Sequence, residues 1–350
     1  MKHILVTGGT GFIGSHTSVK LLEEGFLITI IDSFKNSSSK CFHRIKEIIR
    51  KKNKKLVDCI SLEKGDIKDI LFLKNIFLKA KKNKIPFDAV IHFAGLKSVG
   101  ESFKNPLIYW ENNVFGSINL FKVMDDFDCN TIVFSSSATV YGIAKSPLSE
   151  KLPLNPNNPY GHTKAAIENI LEGLFSSAKN KWRIANLRYF NPIGSHESAL
   201  IGEDPLNKPN NLFPLLCRVA QGKYEKLEVY GNDWPTNDGT GIRDYIHVMD
   251  LADAHFLALN YLIKNEPEII SLNIGTGKGI SVLELIKIFN KVNKCQVEYN
   301  ISKRRDGDVP ILVANNEKIL STLEWYPKKT IEDMCLDGWR WQKLNPNGYK

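Results

Sequence analysis

A chain of 350 residues, 43% of them hydrophobic, can bury a large core as one elaborated domain or as two closely joined ones. Its net charge of +9 does not mark a nucleic-acid protein, because the lysine-rich stretches 40–55 and 81–84 interleave aliphatics, carry few aromatics and read as solvated basic helix faces. Six cysteines without a Cys-x-x-Cys speak against a disulfide frame or a zinc centre, and no apolar run reaches the ~20 charge-free residues that cross a bilayer. Reduced thiols in the cytoplasm are expected, with no metal, no signal peptide and no membrane anchor.

In chain order, short apolar runs alternate with helical periodicity, the arrangement of βαβ units around a parallel sheet. Residues 3–7 predict the first strand and 12–24 the helix that follows. Residues 27–31 predict the second strand, succeeded by a polar, lysine-rich connection. Residues 59–62 lead into Gly65-Asp66-Ile67, and 89–93 and 131–135 are further buried strands. Each ends in small or polar residues, and the carboxyl ends of parallel strands are where such folds bind ligands. Beyond Tyr189, Pro, Asn and Gly become more frequent and the loops longer, as in Asn191-Pro-Ile-Gly and Gly231-Asn-Asp-Trp-Pro-Thr, which predicts a second, smaller α/β lobe. Residues 242–248 and 270–274, with a helix over 251–262 between them, are placed to return to the large sheet. No internal repeat or low-complexity segment interrupts this order.

Between the first strand and its helix lies Thr7-Gly-Gly-Thr-Gly-Phe-Ile-Gly14, with glycines spaced G-x-x-G-x-x-G. Gly8 makes the tight turn, Gly11 admits the backbone to a pyrophosphate, and Gly14 lets helix and strand pack closely. The phosphates of a dinucleotide bound at Gly8, Gly11 and Gly14 would then meet the helix N-terminus. A glycine-rich turn alone often binds nothing. Asp32, ending the second strand near the ~20-residue spacing at which a carboxylate grips ribose hydroxyls, points to NAD and repels the 2′-phosphate of NADP. Asp66 is placed to cap the adenine end, though Gly65-Asp66 taken alone also reads as a turn. The fold expected is α/β: a Rossmann-type doubly wound parallel sheet over 1–190, with a return segment within 242–275, and a smaller α/β substrate-binding domain over 191–350.

A Tyr-x-x-x-Lys pair sets a phenol and an ammonium one helical turn apart on one face, where the cation would lower the phenol from its usual ~10. Three pairs qualify: Tyr141 with Lys145, Tyr160 with Lys164, and Tyr299 with Lys303. Tyr141 runs into Gly142 and a loop, and Tyr299 lies on an alternating, strand-like stretch. Tyr160 follows Pro159 at the start of an amphipathic helix, and its pair would face the cofactor. Upstream, Ser135 and Ser137 end a buried strand and place hydroxyls at the carboxyl edge of the sheet. A serine-rich turn is the bland alternative, but its coincidence with Tyr160, Lys164 and the glycine loop favours a hydride-transfer site.

Together, Gly8-x-x-Gly11-x-x-Gly14, Ser137 and Tyr160-x-x-x-Lys164 resemble the extended short-chain dehydrogenases, a family that modifies nucleotide sugars. Phe93-Ala-Gly-Leu-Lys-Ser-Val-Gly-Glu101, Phe134-Ser-Ser-Ser-Ala-Thr-Val-Tyr-Gly142, Arg188-Tyr-Phe-Asn-Pro192, Asp238-Gly-Thr-Gly-Ile-Arg-Asp-Tyr-Ile-His247 and Arg304-Arg-Asp-Gly-Asp308 extend the resemblance over residues 4–341, toward its 4-epimerases. The 4,6-dehydratases of the family carry a carboxylate just after the strand-end hydroxyl, where this chain has Ala138-Thr139. The resemblance implies interconversion of UDP-galactose and UDP-glucose through a 4-keto sugar, with a resident NAD regenerated at each turnover. It implies that Tyr160, as a phenolate held low by Lys164 and the nicotinamide charge, takes the proton from the sugar 4-hydroxyl and that Ser137 hydrogen-bonds the same oxygen. It assigns NAD contacts to Gly8, Gly11, Phe12, Ile13, Asp32, Asn36, Asp66, Ile67, Phe93, Ala94, Lys97, Asn113 and Tyr189, and UDP-sugar contacts to Asn191, Asn211, Leu212, Arg243, Arg305 and Asp308.

The resemblance further implies a homodimer through helices over 105–125 and 159–177. Leu312 stands where the family has either tyrosine or a smaller residue and where size decides whether an N-acetyl group fits, so UDP-GlcNAc and UDP-GalNAc remain open. Trp234 replaces a tyrosine, a change expected to alter loop packing only. An epimerase for another nucleotide sugar such as UDP-glucuronate is the alternative enzyme. A catalytically silent NAD sensor is the alternative of another class, and it should lack Tyr160, Lys164 or Ser137.

Overall fold

The run His3–Thr7 is buried along its whole length and forms strand β1. The glycine turn leads from it into α1 (Phe12–Glu23), and β2 (Leu27–Asp32) returns beside β1. The chain continues through α2 (Ser39–Lys52), β3 (Ile60–Lys64), α3 (Ile70–Lys82), β4 (Ala89–His92), α4 (Val99–Lys104), α5 (Pro106–Tyr109), a widened helical turn at Trp110–Phe115, and α6 (Gly116–Asp126). Then come β5 (Thr131–Ser137), α7 (Pro159–Ser177), β6 (Arg183–Tyr189), β7 (Asn191–Ile193), α8 (Leu212–Ala220), β8 (Leu227–Tyr230), β9 (Ile242–His247), α9 (Val248–Lys264) and β10 (Ile269–Ile274). The chain closes with β11 (Gly279–Ser281), α10 (Val282–Asn293), β12 (Tyr299–Ser302), β13 (Ile311–Leu312), α11 (Glu317–Leu323) and α12 (Ile331–Leu344). This computed structural model describes residues 1–178, 181–206, 209–305 and 307–350. Asp306 of the Arg304–Asp308 motif lies outside the described residues.

Seven parallel strands form one sheet in the order β10-β6-β5-β4-β1-β2-β3. Strand side chains alternate between its faces. Ile4 and Val6 of β1 pack under α1, α2 and α9, while Leu5 joins the core beneath α3, α6 and α7. Both faces are therefore covered, which is why these strands read as continuous apolar runs. The order reverses between β1 and β4, the topological switch point at which open α/β sheets hold ligands.

Of the two stretches placed to return to this sheet, only the second does. Ile269–Ile274 pairs with β6, whereas Ile242–His247 is the hub of a four-stranded sheet with β7, β11 and β13. Both have strand character, and strand propensity does not choose a sheet; the helix α9 joining them carries the chain from one sheet to the other. The lysine-rich connection after β2 is likewise a helix for most of its length. In α2, Cys41, Phe42, Ile45, Ile48 and Ile49 make a buried stripe, Ser38 caps the N-terminus by accepting from Lys40 N, and the lysines occupy the solvated face. A separate apolar cluster from α8, β8, β9, α10 and α12 forms the core of the smaller lobe. All six cysteines are free, and among the described residues no helix is long and apolar enough to cross a membrane.

Candidate active site

Strand ends on one side and lobe loops on the other enclose a cleft of ≈ 440 Å³. Gly8, Gly11, Phe12, Ile13, Gly14, Asp32, Asn36, Asp66, Ile67, Phe93, Ala94, Lys97, Ser135, Ser137, Tyr160, Lys164 and Tyr189 line the sheet side. Asn191, Asn211, Leu212, Arg243, Arg305 and Asp308 line the other. Three positions fall elsewhere than the sequence suggested. Asn113 does not line the cleft: its side chain accepts from Leu96 N at 2.7 Å and donates to Leu96 O at 3.0 Å and Thr163 Oγ1 at 3.1 Å, bracing the loop after β4 from behind. Leu312 packs against the cluster containing Val140, Leu148 and Phe190, behind the cleft wall rather than on it. Trp234, expected to matter only for loop packing, lines the cleft with the Arg304 guanidinium 3.8 Å above its ring.

The residues of the glycine turn fit a dinucleotide. Gly8 has φ +69°, and a Cβ there would lie 2.8 Å from Ala94 N; a Cβ on Gly14 would lie 2.4 Å from Gly8 O. The N-cap of α1 is Gly11, with no side chain on the first-turn N–H groups, so they face the cleft ready for a phosphate. Asp32 is held in place by its neighbours: it accepts from Thr10 N at 3.1 Å, Phe34 N at 3.0 Å and Ser37 Oγ at 2.7 Å. Asp66 accepts from Lys68 N and pairs with Lys35 at 2.7 Å across the cleft mouth. Burial works against the Asp66 carboxylate, but the bonds from Lys35 and Lys68 hold its pKa below the usual carboxylate value. Lys35 and the Lys97–Glu203 pair, at 2.7 Å, are cleft features that the sequence did not announce.

Across the cleft a second helix, α8, also opens without a side-chain cap, at Asn211. Beside it the two arginines share one carboxylate: Arg305 Nε is 3.2 Å and Arg243 Nη2 3.9 Å from Asp308, and Arg305 lies 4.7 Å over the Tyr230 ring. Burial lowers the pKa of the Arg243 guanidinium, with Asp308 opposing. Asn191 lines the cleft, and its Oδ1 is buried without a hydrogen-bond partner among the described residues.

The catalytic candidates converge at the switch point. Asn158 caps α7 by accepting from Gly161 N at 2.8 Å, Pro159 occupies its first turn, and Tyr160 N donates to Ser102 Oγ of α4 at 3.2 Å. Lys164 Nζ lies 5.9 Å from the centre of the Tyr160 ring and donates to Ser135 O at 2.6 Å. Ser137 Oγ accepts from Thr139 Oγ1 at 3.0 Å, and its side chain also hydrogen-bonds the Tyr160 phenol. The other two tyrosine–lysine pairs drop out: Tyr141 points into the core, its hydroxyl donating to Asn273 Oδ1 at 2.7 Å, and Tyr299 lies on β12.

The expected electrostatics of the pair are corrected. Burial pushes the Tyr160 phenol up to about 12, with Ser137 pulling the other way, and burial brings Lys164 down to about 7, with Glu168 opposing. Spacing on a helix conveys proximity but not desolvation, and here desolvation wins. Without a further positive charge in the cleft, Tyr160 is a neutral phenol at neutral pH.

A family profile described as GDP-mannose 4,6 dehydratase matches residues 5–337. The UDP-glucose 4-epimerase of Bacillus subtilis (strain 168) is 48% identical over 348 residues, 99% of this chain and 98% of that protein. The chain belongs to the UDP-glucose 4-epimerase family. Among solved members, the UDP-glucose 4-epimerase of Stenotrophomonas maltophila, with bound NAD and formylated UDP-arabinopyranose, superposes with a TM-score of 0.92 at 42% identity over 99% of both chains. That of Bifidobacterium longum, in complex with NAD+ and UDP, gives 0.92 at 40% identity over 99% of this chain and 100% of that one. The epimerase family and the dehydratase profile meet at the end of β5, where Ala138-Thr139 places a second hydroxyl, and no carboxylate, beside Ser137.

Proposed function

We propose that the chain interconverts UDP-galactose and UDP-glucose, using a resident NAD in the sheet half of the cleft and holding the UDP-sugar in the lobe half. The observation that carries this is the meeting of Tyr160, Lys164 and Ser137 between two uncapped helix N-termini, each suited to a diphosphate. Bound NAD supplies the hydride acceptor and donor, and its ring charge favours the ionised form of a nearby phenol. Tyr160 takes the proton of the sugar 4-hydroxyl and later returns it to the 4-keto oxygen. Ser137 donates to that same oxygen, and Lys164, anchored on the Ser135 carbonyl, fixes the phenol's surroundings. Arg243 and Arg305 take the substrate diphosphate, with Asp308 orienting both forks. Asn191, Asn211 and Leu212 complete the sugar-nucleotide contacts, while Asp32, Asn36 and Asp66 hold the adenosine half of NAD.

A second copy of the chain is the partner we assign to the apolar surface of residues 107–115. There Leu107 is 80% and Ile108 54% exposed, alongside Trp110 and Phe115. The free thiols suit the cytoplasm. Leu312 packs against the cluster that holds the cleft-lining Phe190 and is smaller than a tyrosine, and N-acetylated UDP-sugars are further candidate substrates. Purification without added cofactor, followed by separate incubation with UDP-galactose and UDP-GlcNAc, tests the reading. Retained NAD and formation of UDP-glucose are expected; net accumulation of NADH would overturn it. Light scattering on the same preparation should give twice the mass of the chain.

A further inference from the structure

Behind the catalytic pair lies a buried charge cluster that the reaction described above does not use. Glu168 is one helical turn beyond Lys164 on α7. The two side chains bind consecutive residues of β5: Lys164 Nζ donates to the Ser135 carbonyl, and Glu168 accepts from the Ser136 hydroxyl. Ser136 is in register with Arg188 of β6, whose guanidinium clasps Glu168 through Nη2 at 2.6 Å and Nε at 3.0 Å. Arg188 Nη1 also donates to the Tyr141 hydroxyl at 3.0 Å, which donates to Asn273 of β10. Asn273 Nδ2 then reaches the Leu148 carbonyl at 2.8 Å, and Leu148 bridges to Ala314 just past β13.

We propose that Glu168 is a positioning residue for the epimerisation: with Arg188 it pins α7 to the end of β5, fixing where Lys164 stands, and it supplies the Lys164 ammonium with a counter-charge. This rests on the function proposed above. The groups that face Lys164 from the elements around it leave that task to Glu168. Tyr160 on α7 and Tyr189 on β6 are buried phenols whose pKa values burial raises. His92 on β4 is held neutral, burial and then Lys164 lowering it to about 3. From β5 come only the Ser135 carbonyl and the face of Phe134, 4.8 Å from Nζ. Of these surroundings Glu168 alone carries a negative charge while Tyr160 is neutral, and it acts against the desolvation of Lys164.

Charge and position separate experimentally. Glu168→Gln leaves Arg188 as an uncompensated cation, so the alkaline limb of kcat should move about one pH unit lower, with kcat down about tenfold, KM within about twofold and NAD retained. Arg188→Gln should move the same limb the other way. Either single variant leaves a buried charge unpaired and is liable to misfold. Glu168→Gln/Arg188→Gln restores neutrality: its limb should return close to that of the parent, with kcat still lowered because the clasp is weakened. A merely structural pair would give no shifts of opposite sign. Single variants with the parental pH profile, or a double variant with the parental kcat, would overturn the proposal. The pH midpoint for acylation of Lys164, read by mass spectrometry on the protein as purified, should move in the same two directions without any turnover. A parent protein inert to both sugars would therefore sink the epimerase function, while this measurement still decides the role of Glu168.

Discussion

The two halves of the cleft bind through different physics. On the sheet side, the functional groups are strand ends and a helix N-terminus, and the key charged side chains are already held: Asp32 takes three hydrogen bonds and Lys164 is fixed on a carbonyl. On the lobe side, Arg243, Arg305 and Asp308 satisfy one another, and Asn191 Oδ1 has no partner among the described residues. The first half is preorganised for a ligand that stays. The second must exchange protein–protein ion pairs for ligand contacts each time a substrate arrives, which suits a ligand that leaves.

Four substitutions would break or sharpen that contrast. The largest effect belongs to Tyr160→Phe, which removes the proton acceptor and should cost ~10³-fold in kcat with NAD still bound. Near-normal turnover in a coupled UDP-glucose assay would contradict the assignment. Next, Asp32→Ala removes an acceptor for ribose hydroxyls, each charged hydrogen bond contributing ~1.5–3 kcal/mol, so the purified protein should lose most of its NAD, seen in its absorbance spectrum. On the lobe side, Arg305→Ala should raise the KM for UDP-galactose about tenfold, the exposed fork contributing at the low end of that range, without changing NAD content. Loss of NAD from this variant would show that the halves are not independent. The smallest effect is expected from Lys35→Ala: its pair with Asp66 is solvent-exposed and worth ~0–1 kcal/mol, so the NAD dissociation rate should rise by no more than about fivefold.

Much of the sheet half was legible in the sequence because its signals are local. Glycine spacing, a carboxylate at the end of β2 and hydroxyls at the end of β5 are each written within a few residues, and each lies in the cleft. Pairings across the chain were not legible. Glu168 with Arg188, Lys97 with Glu203 and Tyr141 with Asn273 join residues 20, 106 and 132 positions apart, and no periodicity marks them. The assignment of β9 to the smaller sheet, and the placement of Asn113 and Leu312 behind the cleft wall, were hidden for the same reason, since all depend on which surfaces meet. The burial that raises the Tyr160 phenol was not legible either, because spacing reports neighbours, whereas burial sets the cost of charge.

The two uncapped helix N-termini, α1 from the sheet and α8 from the lobe, have a kinetic consequence. With NAD resident, its pyrophosphate neutralises the first, so the partial positive charge at α8, beside Arg243 and Arg305, is what draws in anions from beyond contact range. Added salt shortens the reach of that field to about a nanometre or less, yet leaves the enclosed chemistry of Tyr160 and Lys164 untouched. Rising ionic strength should therefore slow capture of the UDP-sugar, lowering kcat/KM, while kcat holds steady. Arrival and reaction are governed by separate electrostatic environments a few residues apart.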